Sequence, residues 1–549
     1  MLISLLTYAT LAYVALVLLV IPPARWLPVL MGLSGLMVPI AFASAILSPG
    51  IYFTATSMFH DLWVAMDAFS RVQAGHRPHV DFPSPLGPVY YWVKAAALWI
   101  EPLTIRSIVW ASVLFTALAL IFTLVLLARV LPWPALALVA TLVVTTGLSV
   151  RDLDAILFVQ PASYLAPYNR WGWALMVPVA LRLALPARKG DPLGAVAIGL
   201  AIALLLMLKV SYGALALALL VCGAPLRGWL GLREAGWALF GLVSSLALAA
   251  SLGTPLGAYL ADLQSTAALQ SSLAFRVAKT VSILGETGFY LIIGATFLYL
   301  MTHQGQSRWA WLRAQAVPLI LMAGVALAGT LALANNHFSV EPVICFALPL
   351  IAWVWGRQAP DHRPLPPLAG LVLVALAAQR PLIDTAQLVT QPILWHVTEP
   401  DTLLEDTPYG PVKFANVATG LHQEYRFRGC RTATCRTYVG LREGLEHLAN
   451  PAGQGAGPGA VLALNFANPF PSMLGEVPPR HAPLWFDYGR TFSDTHHVSP
   501  EHLLKDVTRV LLTTGDLNIA KIYEPYLQTH FELVEESPSW RFYVRAAVP

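Results

Sequence analysis

The chain has 549 residues, of which 57% are hydrophobic and only 12% are charged, and its mean hydropathy is +0.62. Soluble globular proteins carry about 25% charged residues, so the composition excludes that class and indicates an integral membrane protein. The formal net charge of +4 is small for this length, which argues against a nucleic-acid partner because such proteins present a dense basic face.

Apolar segments follow one another along residues 1–378. A membrane-spanning helix needs about 20 apolar residues, and about twelve segments qualify. The first, from about Leu5 to Pro22, has no Lys or Arg before it, so we expect a retained span rather than a signal peptide. The others are predicted to begin near residues 27, 104, 134, 171, 193, 211, 235, 288, 317, 342 and 365.

Basic residues occur in alternate short loops, and such loops lie on the cytoplasmic side of bacterial membrane proteins. The opposite side then receives Phe59–Trp92, residues 151–171, Gly253–Glu286, Asn335–Glu341 and the C-terminal tail. We therefore predict a multi-pass protein of the bacterial inner membrane with these segments in the periplasm. The residues assigned to the cytoplasm are Arg25, Arg129, Arg188, Lys189, Arg227, Arg233, Arg308, Arg313, Arg357 and Arg363.

The composition becomes polar and rich in Pro and Gly after about residue 378. We predict a transmembrane domain at 1–378, with an outer loop and surface helices at 49–103, and a soluble extracytoplasmic α/β domain at 379–549. In the tail, GAVLALNFA and RVLLTTGD are typical of buried strands, and FELVEES with WRFYVRA of a terminal hairpin. Helices are predicted at LREGLEHLAN, SPEHLLKDV and IAKIYEPYLQTHF.

Two of the four cysteines, Cys430 and Cys435, lie close together in the polar segment RGCRTATC. A short disulfide loop suits an oxidising compartment, and half of a zinc site is the alternative. We expect the disulfide, because no matching second pair of cysteines is present. Cys222 and Cys345 fall in apolar runs, where we expect them to pack as small hydrophobic residues.

The stretch Phe59–Trp92 concentrates polar residues directly after an apolar span. Apolar positions recur at helical spacing from Asp61 to Gly75, which predicts an amphipathic helix lying along the membrane surface. Prolines at 78, 83, 85 and 88 then favour extended chain. A second surface helix is predicted from Val89 to Ile100, with aromatic side chains suited to the membrane interface.

This arrangement resembles the GT-C superfamily of membrane glycosyltransferases. In that family an acidic residue follows a span in the first large outer loop, and a surface helix, a segment of the type G…Y.DF..P.GP..Y and a second surface helix come next. The matching residues here are Asp61, Gly75, HVDF with Asp81, and PSPLGPVYY. The sequence departs from a common pattern, because His60 stands where many members have an acid and no Lys-Pro-Pro is present.

The resemblance implies a many-span fold and transfer of a sugar from a polyprenyl phosphate to an acceptor hydroxyl outside the cytoplasm, with inversion at the anomeric carbon. The acceptor, a lipid, a glycan or a protein, must lose a proton, and Asp61 is the candidate general base. Cations near the membrane surface would stabilise the phosphate that leaves. The candidates are Arg71, Arg77, Arg170 and Lys209.

Further candidates come from the other outer segments. Asp81 and Asp154 are second-acid or metal-ligand candidates, which leaves a divalent metal ion open as a cofactor. Tyr168, His337 and Glu341 are assigned to the substrate cavity. Arg276 and Lys279 are candidates for contact with the acceptor or the donor head group, and the aromatic-rich segment 468–494 suits either a sugar ring or domain docking.

Several of these residues also have plain structural interpretations. Asp61 is a good helix N-cap, Asp81 can stabilise a turn, and Asp67 is expected to be a solvated residue. Lys209 can extend to the membrane surface, although a Lys within a span usually faces a polar cavity.

Two other functions suit the same composition. About twelve spans are also typical of a lipid or solute transporter or flippase, but transporters place polar residues in broken helices near the membrane midplane. Here the polar residues concentrate in the outer loops, which favours an enzyme. A non-catalytic GT-C-like subunit is the third hypothesis, because the acidic pair is incomplete.

Overall fold

The computed structural model describes residues 23–47, 60–149, 166–186, 190–226, 232–269, 273–334, 343–359, 363, 381–390, 393, 433–450 and 459–546. In these ranges the chain is mostly helical, with one small sheet near the C-terminus. The predicted first span and the predicted domain boundary at 378/379 lie outside the described residues.

Helices form the apolar body. They are α1 (Pro23–Ser34), α2 (Met37–Leu47), α3 (His60–Gln73), α4 (Pro88–Ile100), α5 (Ile105–Leu127), α6 (Trp133–Leu148), α7 (Pro167–Ala184), α8 (Pro192–Leu208), α9 (Val210–Leu226), α10 (Leu232–Ser251), α11 (Leu256–Leu269), α12 (Leu273–Thr302), α13 (Arg308–Ala314), α14 (Ala316–Ala334) and α15 (Leu348–Gln358). A 3-10 helix at Val343–Ala347 precedes α15, and residues 381–390 are also helical.

By length and composition, three segments can cross a membrane: Arg106–Leu127, Arg233–Ser251 and Ala316–Ala334. The bent pair Val277–Gly285 and Thr287–Thr302 makes a fourth if it counts as one span. Other apolar helices of 10–17 residues, such as Trp133–Leu148, coincide with further predicted spans. The described residues therefore hold three or four full-length candidates, and the total of about twelve stays a prediction.

The two helices predicted in the first outer loop are present as α3 and α4, and Pro88 opens α4 at its first turn, where a missing N–H costs nothing. The prediction that the polar face of α3 is solvated is wrong, because Asp67, Ser70 and Arg71 are buried. The C-terminal part of the chain covers them, since the short helix Phe470–Leu474 packs on α3. Periodicity reports which face is polar, but not what lies against it.

The C-terminal region is a small α/β unit. Its helices are α16 (Ala433–Ala449), α17 (Phe470–Leu474), α18 (Pro500–Leu503) and α19 (Leu517–His530), and its strands are β1 (Ala460–Leu464), β2 (Val507–Thr513), β3 (Phe531–Glu536) and β4 (Trp540–Arg545). The sheet order is β1-β2-β4-β3, with β1 parallel to β2 and the other pairs antiparallel. The predicted strands and terminal hairpin are confirmed, whereas SPEHLLKDV forms only the single turn α18.

Cys435 is buried and disulfide-bonded, while Cys222 and Cys345 are free. Cys345 is buried, as predicted for a packed residue, whereas Cys222 is exposed. Cys430, the predicted partner of Cys435, lies outside the described residues.

Candidate functional site

Asp61 lies in the first turn of α3, directly after the apolar segment that precedes the outer loop. Its Oδ2 accepts a hydrogen bond from the backbone N–H of Ala166 at 3.2 Å. Ala166 has φ +41° and ψ +60° and is the residue immediately before α7. The carboxylate of Asp61, which belongs to the first outer loop, is therefore held at the N-terminus of α7, a helix that follows a different outer loop. The dipole of α7 favours negative charge at this end.

Burial raises the pKa of Asp61 to about 7. The Ala166 N–H and the positive charges of Arg490 and Arg170 lower the pKa and only partly offset this burial, while the charge of Asp487 adds to the rise. A carboxyl group with a pKa near neutrality can exchange a proton at physiological pH, which is the property that acid–base catalysis requires. Shifts of this size concentrate at functional sites.

Next to Ala166, the start of α7 carries the predicted residues Tyr168 and Arg170 with Asn169 between them. The Nζ of Lys209 donates to Oδ1 of Asn169 at 2.9 Å and lies 5.3 Å from the centroid of the Tyr168 ring. Asn169 and Arg170 are both buried. Three sequence-predicted elements, the acidic loop, the Tyr-Asn-Arg segment and the lysine, therefore meet at one place.

Lys209 is the extended residue between α8 and α9, and the first outer loop approaches it closely. The N–H of Gly87 donates to the carbonyl of Leu208 at 3.0 Å. A Cβ at position 87 would lie 2.0 Å from the carbonyl oxygen of Met207, so only glycine fits there. This close approach holds the loop against the turn that carries Lys209.

The C-terminal unit contributes a fourth element, a tight turn around Gly489, which has φ +79°. Nη1 of Arg490 donates to Oδ2 of Asp487 at 2.7 Å. The positive charge of Arg490 attracts the carboxylate of Asp61 and repels the amino groups of Lys209 and Lys279. Arg490, which belongs to the C-terminal unit, therefore interacts with charged groups of the helical body.

The buried carboxyl group of Asp61 therefore interacts with the charges of Arg170 and Arg490. Arg490 also acts on Lys209 and Lys279, so the charges of these four basic side chains are linked through Arg490 and Asp61. A cluster of this kind repels cations and suits a bound anion, and charge-assisted hydrogen bonds from Arg and Lys are the usual way in which proteins hold phosphate.

Arg71 lies apart from this cluster. Its Nε donates to Oδ2 of Asp67 at 2.9 Å, its Nη1 donates to the carbonyl of Ala482 at 2.9 Å, and its guanidinium lies 4.6 Å from the centroid of the Phe82 ring. The side chain is fully buried and links α3 to the C-terminal unit. These contacts give Arg71 a structural role, and its predicted role in phosphate binding stays a prediction.

Arg77 and Asp81 are also placed apart from Asp61. Oδ2 of Asp81 accepts from the backbone N–H of Arg77 at 2.6 Å, and the side chain of Arg77 is 69% exposed. This contact is the turn-stabilising alternative that the sequence analysis left open for Asp81.

Four predicted residues lie outside the described ranges: Asp154, His337, Glu341 and Cys430. The structure describes no group of three or more His, Cys, Asp or Glu that could hold a metal ion within the ranges it covers. The acid whose charge raises the pKa of Asp61 is Asp487, and that carboxylate is already paired with Arg490.

Sequence reasoning missed Asp487, Arg490 and Asn169 as site residues. Asp487 and Arg490 lie in FDYGRTFSD, within the aromatic-rich segment 468–494, and Asn169 stands between the candidates Tyr168 and Arg170. An isolated arginine in a turn has no local signal that predicts which distant loop it faces. Only the packing of the C-terminal unit on α3 brings it there.

No protein-family profile matches the sequence, and no curated protein does so either. Among solved structures, the fold is similar to the crystal structure of ArnT from Cupriavidus metallidurans bound to undecaprenyl phosphate. The match covers 93% of this chain and 97% of that chain, with a TM-score of 0.41 and 14% sequence identity.

Proposed function

We propose that this protein is a membrane glycosyltransferase that transfers a sugar from a polyprenyl-phosphate donor to an acceptor hydroxyl on the extracytoplasmic face. The observation that carries the proposal is the raised pKa of the buried Asp61, whose carboxyl group is acted on by the positive charges of Arg170 and Arg490. This is the combination that the reaction needs, namely a proton acceptor for the attacking hydroxyl and positive charge for the leaving phosphate.

In the proposed reaction the acceptor hydroxyl loses its proton to the carboxylate of Asp61 as its oxygen bonds to the anomeric carbon. The bond between that carbon and the phosphate oxygen breaks, and the polyprenyl phosphate leaves with the electron pair. Attack from the side opposite the leaving group inverts the configuration. Transfer requires the hydroxyl to come within about 2.6–3.2 Å of the carboxylate.

Lys209, Arg170 and Arg490 are proposed to bind the donor phosphate. Two of them are positioned by hydrogen bonds within the chain, since Asn169 holds Lys209 and Asp487 holds Arg490. Charges fixed in this way do not have to reorganise when negative charge grows on the leaving group, which is the main source of electrostatic catalysis. Tyr168, whose ring lies beside Lys209, is proposed to line the sugar cavity.

The proposed location is the bacterial inner membrane, with the outer loops and a C-terminal domain at 379–549 in the periplasm. The contact between Arg71 and Ala482 supports this arrangement, because it requires α3 and the C-terminal unit to lie on the same side of the membrane. The alternation of basic loops supports the assignment of the other side to the cytoplasm.

The proposal is tested with purified protein in nanodiscs and a labelled polyprenyl-phosphate sugar. Asp61→Asn is expected to bind the donor but to lose about 10²- to 10⁴-fold in turnover, the usual contribution of a general base. Lys209→Ala is expected to weaken donor binding about tenfold or more, because it removes a charge-assisted contact. Asp494→Asn, a neutralised exposed acid whose ion pair is with Lys521, serves as the matched control.

The proposal fails if Asp61→Asn keeps full transfer activity while folded. It also fails if no lipid-linked sugar binds the wild type and both variants behave like it, and a flippase or a non-catalytic subunit then becomes the better account.

A further inference from the structure

A cavity of about 320 Å³ lies between the first outer loop, α11 and the C-terminal unit. Ser84 of the outer loop, Asp262 of α11 and Trp485 of the C-terminal unit contribute to its wall. Small-molecule sites in proteins are typically about 300–1,000 Å³, so this cavity has room for a small ligand. It is separate from Asp61 and Lys209, neither of which lines it.

One wall of the cavity is aromatic. Trp485, Phe486, Phe492 and Tyr523 all line it, and the ring of Phe486 meets those of Phe492 and Tyr523 edge-to-face, with centroids 5.9 and 6.0 Å away. These contacts fix the rings relative to one another, which gives a rigid apolar surface. A pyranose ring presents its C–H bonds on its flat faces, and such a face fits an aromatic surface.

The lining also carries polar groups, among them the carboxylate of Asp262. Oδ2 of Asp262 is held by Nδ1 of His79 at 2.8 Å and by the backbone N–H of Ser84 at 2.9 Å. Within the described ranges Oδ1 of the same carboxylate makes no hydrogen bond, and the side chain is 19% exposed. Asp262 is therefore fixed in orientation and keeps an acceptor for a ligand hydroxyl, with the exposed residues Ser265 and His497 beside it.

The charge of the lining decides which ligand class fits. Among the described residues that form the wall, none is Lys or Arg, and one is an aspartate. A phosphate would be repelled by that carboxylate and would find no cation, whereas an uncharged hydroxyl group can donate to it. The lining therefore favours a neutral, hydroxyl-rich ring over the head group of a lipid phosphate.

We propose that this cavity binds a saccharide unit of the acceptor glycan. The identity as acceptor rests on the proposed function, since Thr491 of the lining directly follows Arg490, whose charge acts on Asp61. Within one loop of the C-terminal unit, Arg490 thus interacts with Asp61, and the next residue, Thr491, lines the cavity. In the proposal, a glycan anchored in the cavity extends past this loop to present its hydroxyl group to Asp61.

The test uses the full-length protein in nanodiscs and saturation-transfer NMR with the methyl glycosides of glucose, galactose, mannose and N-acetylglucosamine. Ser265→Trp fills the cavity from an exposed position of α11, and Gln264→Trp places the same side chain at the neighbouring exposed position outside the lining. At least one glycoside is expected to bind the wild type and Gln264→Trp. Ser265→Trp is expected to weaken that binding by about tenfold or more.

The inference is overturned if none of the glycosides binds the wild type, or if Ser265→Trp binds them as the wild type does. Turnover of a lipid-linked donor separates this outcome from failure of the proposed function. With the bound glycoside as acceptor, Ser265→Trp should raise its KM and leave hydrolysis of the donor by water unchanged. If Asp61→Asn keeps transfer while Ser265→Trp loses glycoside binding, the proposed function fails and the saccharide site stands.

Discussion

Arg71, on the helix that begins at His60, donates a 2.9 Å hydrogen bond to the backbone carbonyl of Ala482 in the C-terminal unit. The same guanidinium is paired with Asp67 one turn earlier on its own helix. Both side chains are buried. The contact joins the first outer loop to the C-terminal unit and so sets the position from which Arg490 reaches the neighbourhood of Asp61.

The buried pair of Asp67 and Arg71 should be coupled in stability. Removing one partner leaves an uncompensated buried charge, so Asp67→Leu or Arg71→Met alone should cost about 3–5 kcal/mol of unfolding free energy. The double variant should be more stable than the sum of the two single effects predicts, because neither charge then remains buried alone. Thermal unfolding in detergent measures this, and strictly additive losses would contradict it.

The activity should depend on the ionisation of Asp61. The carboxylate is the form that accepts a proton, and the pKa of Asp61 is raised to about 7, so the carboxylate predominates only above that pH. We expect kcat/KM to fall about tenfold per pH unit below pH 7 and to level off above it. A profile whose acid limb lies near pH 4 would contradict the assignment of Asp61 as base.

The raised pKa of Asp61 also makes the stability of the folded protein depend on pH. The folded protein keeps the Asp61 proton up to about pH 7, whereas the group has its ordinary pKa of 3.8 when unfolded, so stability falls as the pH rises between these values. Asp61→Asn cannot ionise and escapes this loss. The Tm of the variant minus that of the wild type should therefore increase from pH 4 to pH 7, and a difference that stays constant with pH would argue against a buried, ionising Asp61.

Arg490 should tune Asp61 from the C-terminal unit. Its positive charge lowers the pKa of Asp61, so Arg490→Ala should raise that pKa further and move the acid limb of the activity profile upward, by as much as about one pH unit. Arg490→Lys keeps the charge and should keep the limb in place. Arg480→Ala removes an exposed arginine from the same segment and is the control; an equal shift in that variant would remove the specific role of Arg490.

Gly87 should be intolerant of any side chain. A methyl group there would lie 2.0 Å from the carbonyl oxygen of Met207, so Gly87→Ala must displace the outer loop from the turn before Lys209. We expect a loss of about 1–3 kcal/mol in stability, typical of overpacking, together with weaker donor binding. Gly257→Ala is the control, because a methyl group there meets nothing within 4 Å; equal behaviour of the two variants would show that the close approach is unimportant.

Much of this protein follows from local sequence patterns. Long apolar runs indicate the membrane, helical spacing and prolines predict α3 and α4, and alternating apolar residues predict the strands and hairpin of the C-terminal unit. These predictions succeed because each depends on neighbours within one turn or one strand. The candidates Asp61 and Lys209 also stand out locally, as polar residues at the edges of apolar segments.

Only the tertiary structure decided what surrounds those residues. It buried Asp67 and Arg71 on a face that periodicity predicts to be solvated, placed Asn169 against Lys209, and brought Arg490 from the far end of the chain toward Asp61. The pKa of a carboxyl group depends on burial and on charges in space, and neither quantity is a property of sequence neighbours. A local pattern identifies a reactive group, whereas the packing of distant elements sets its charge state.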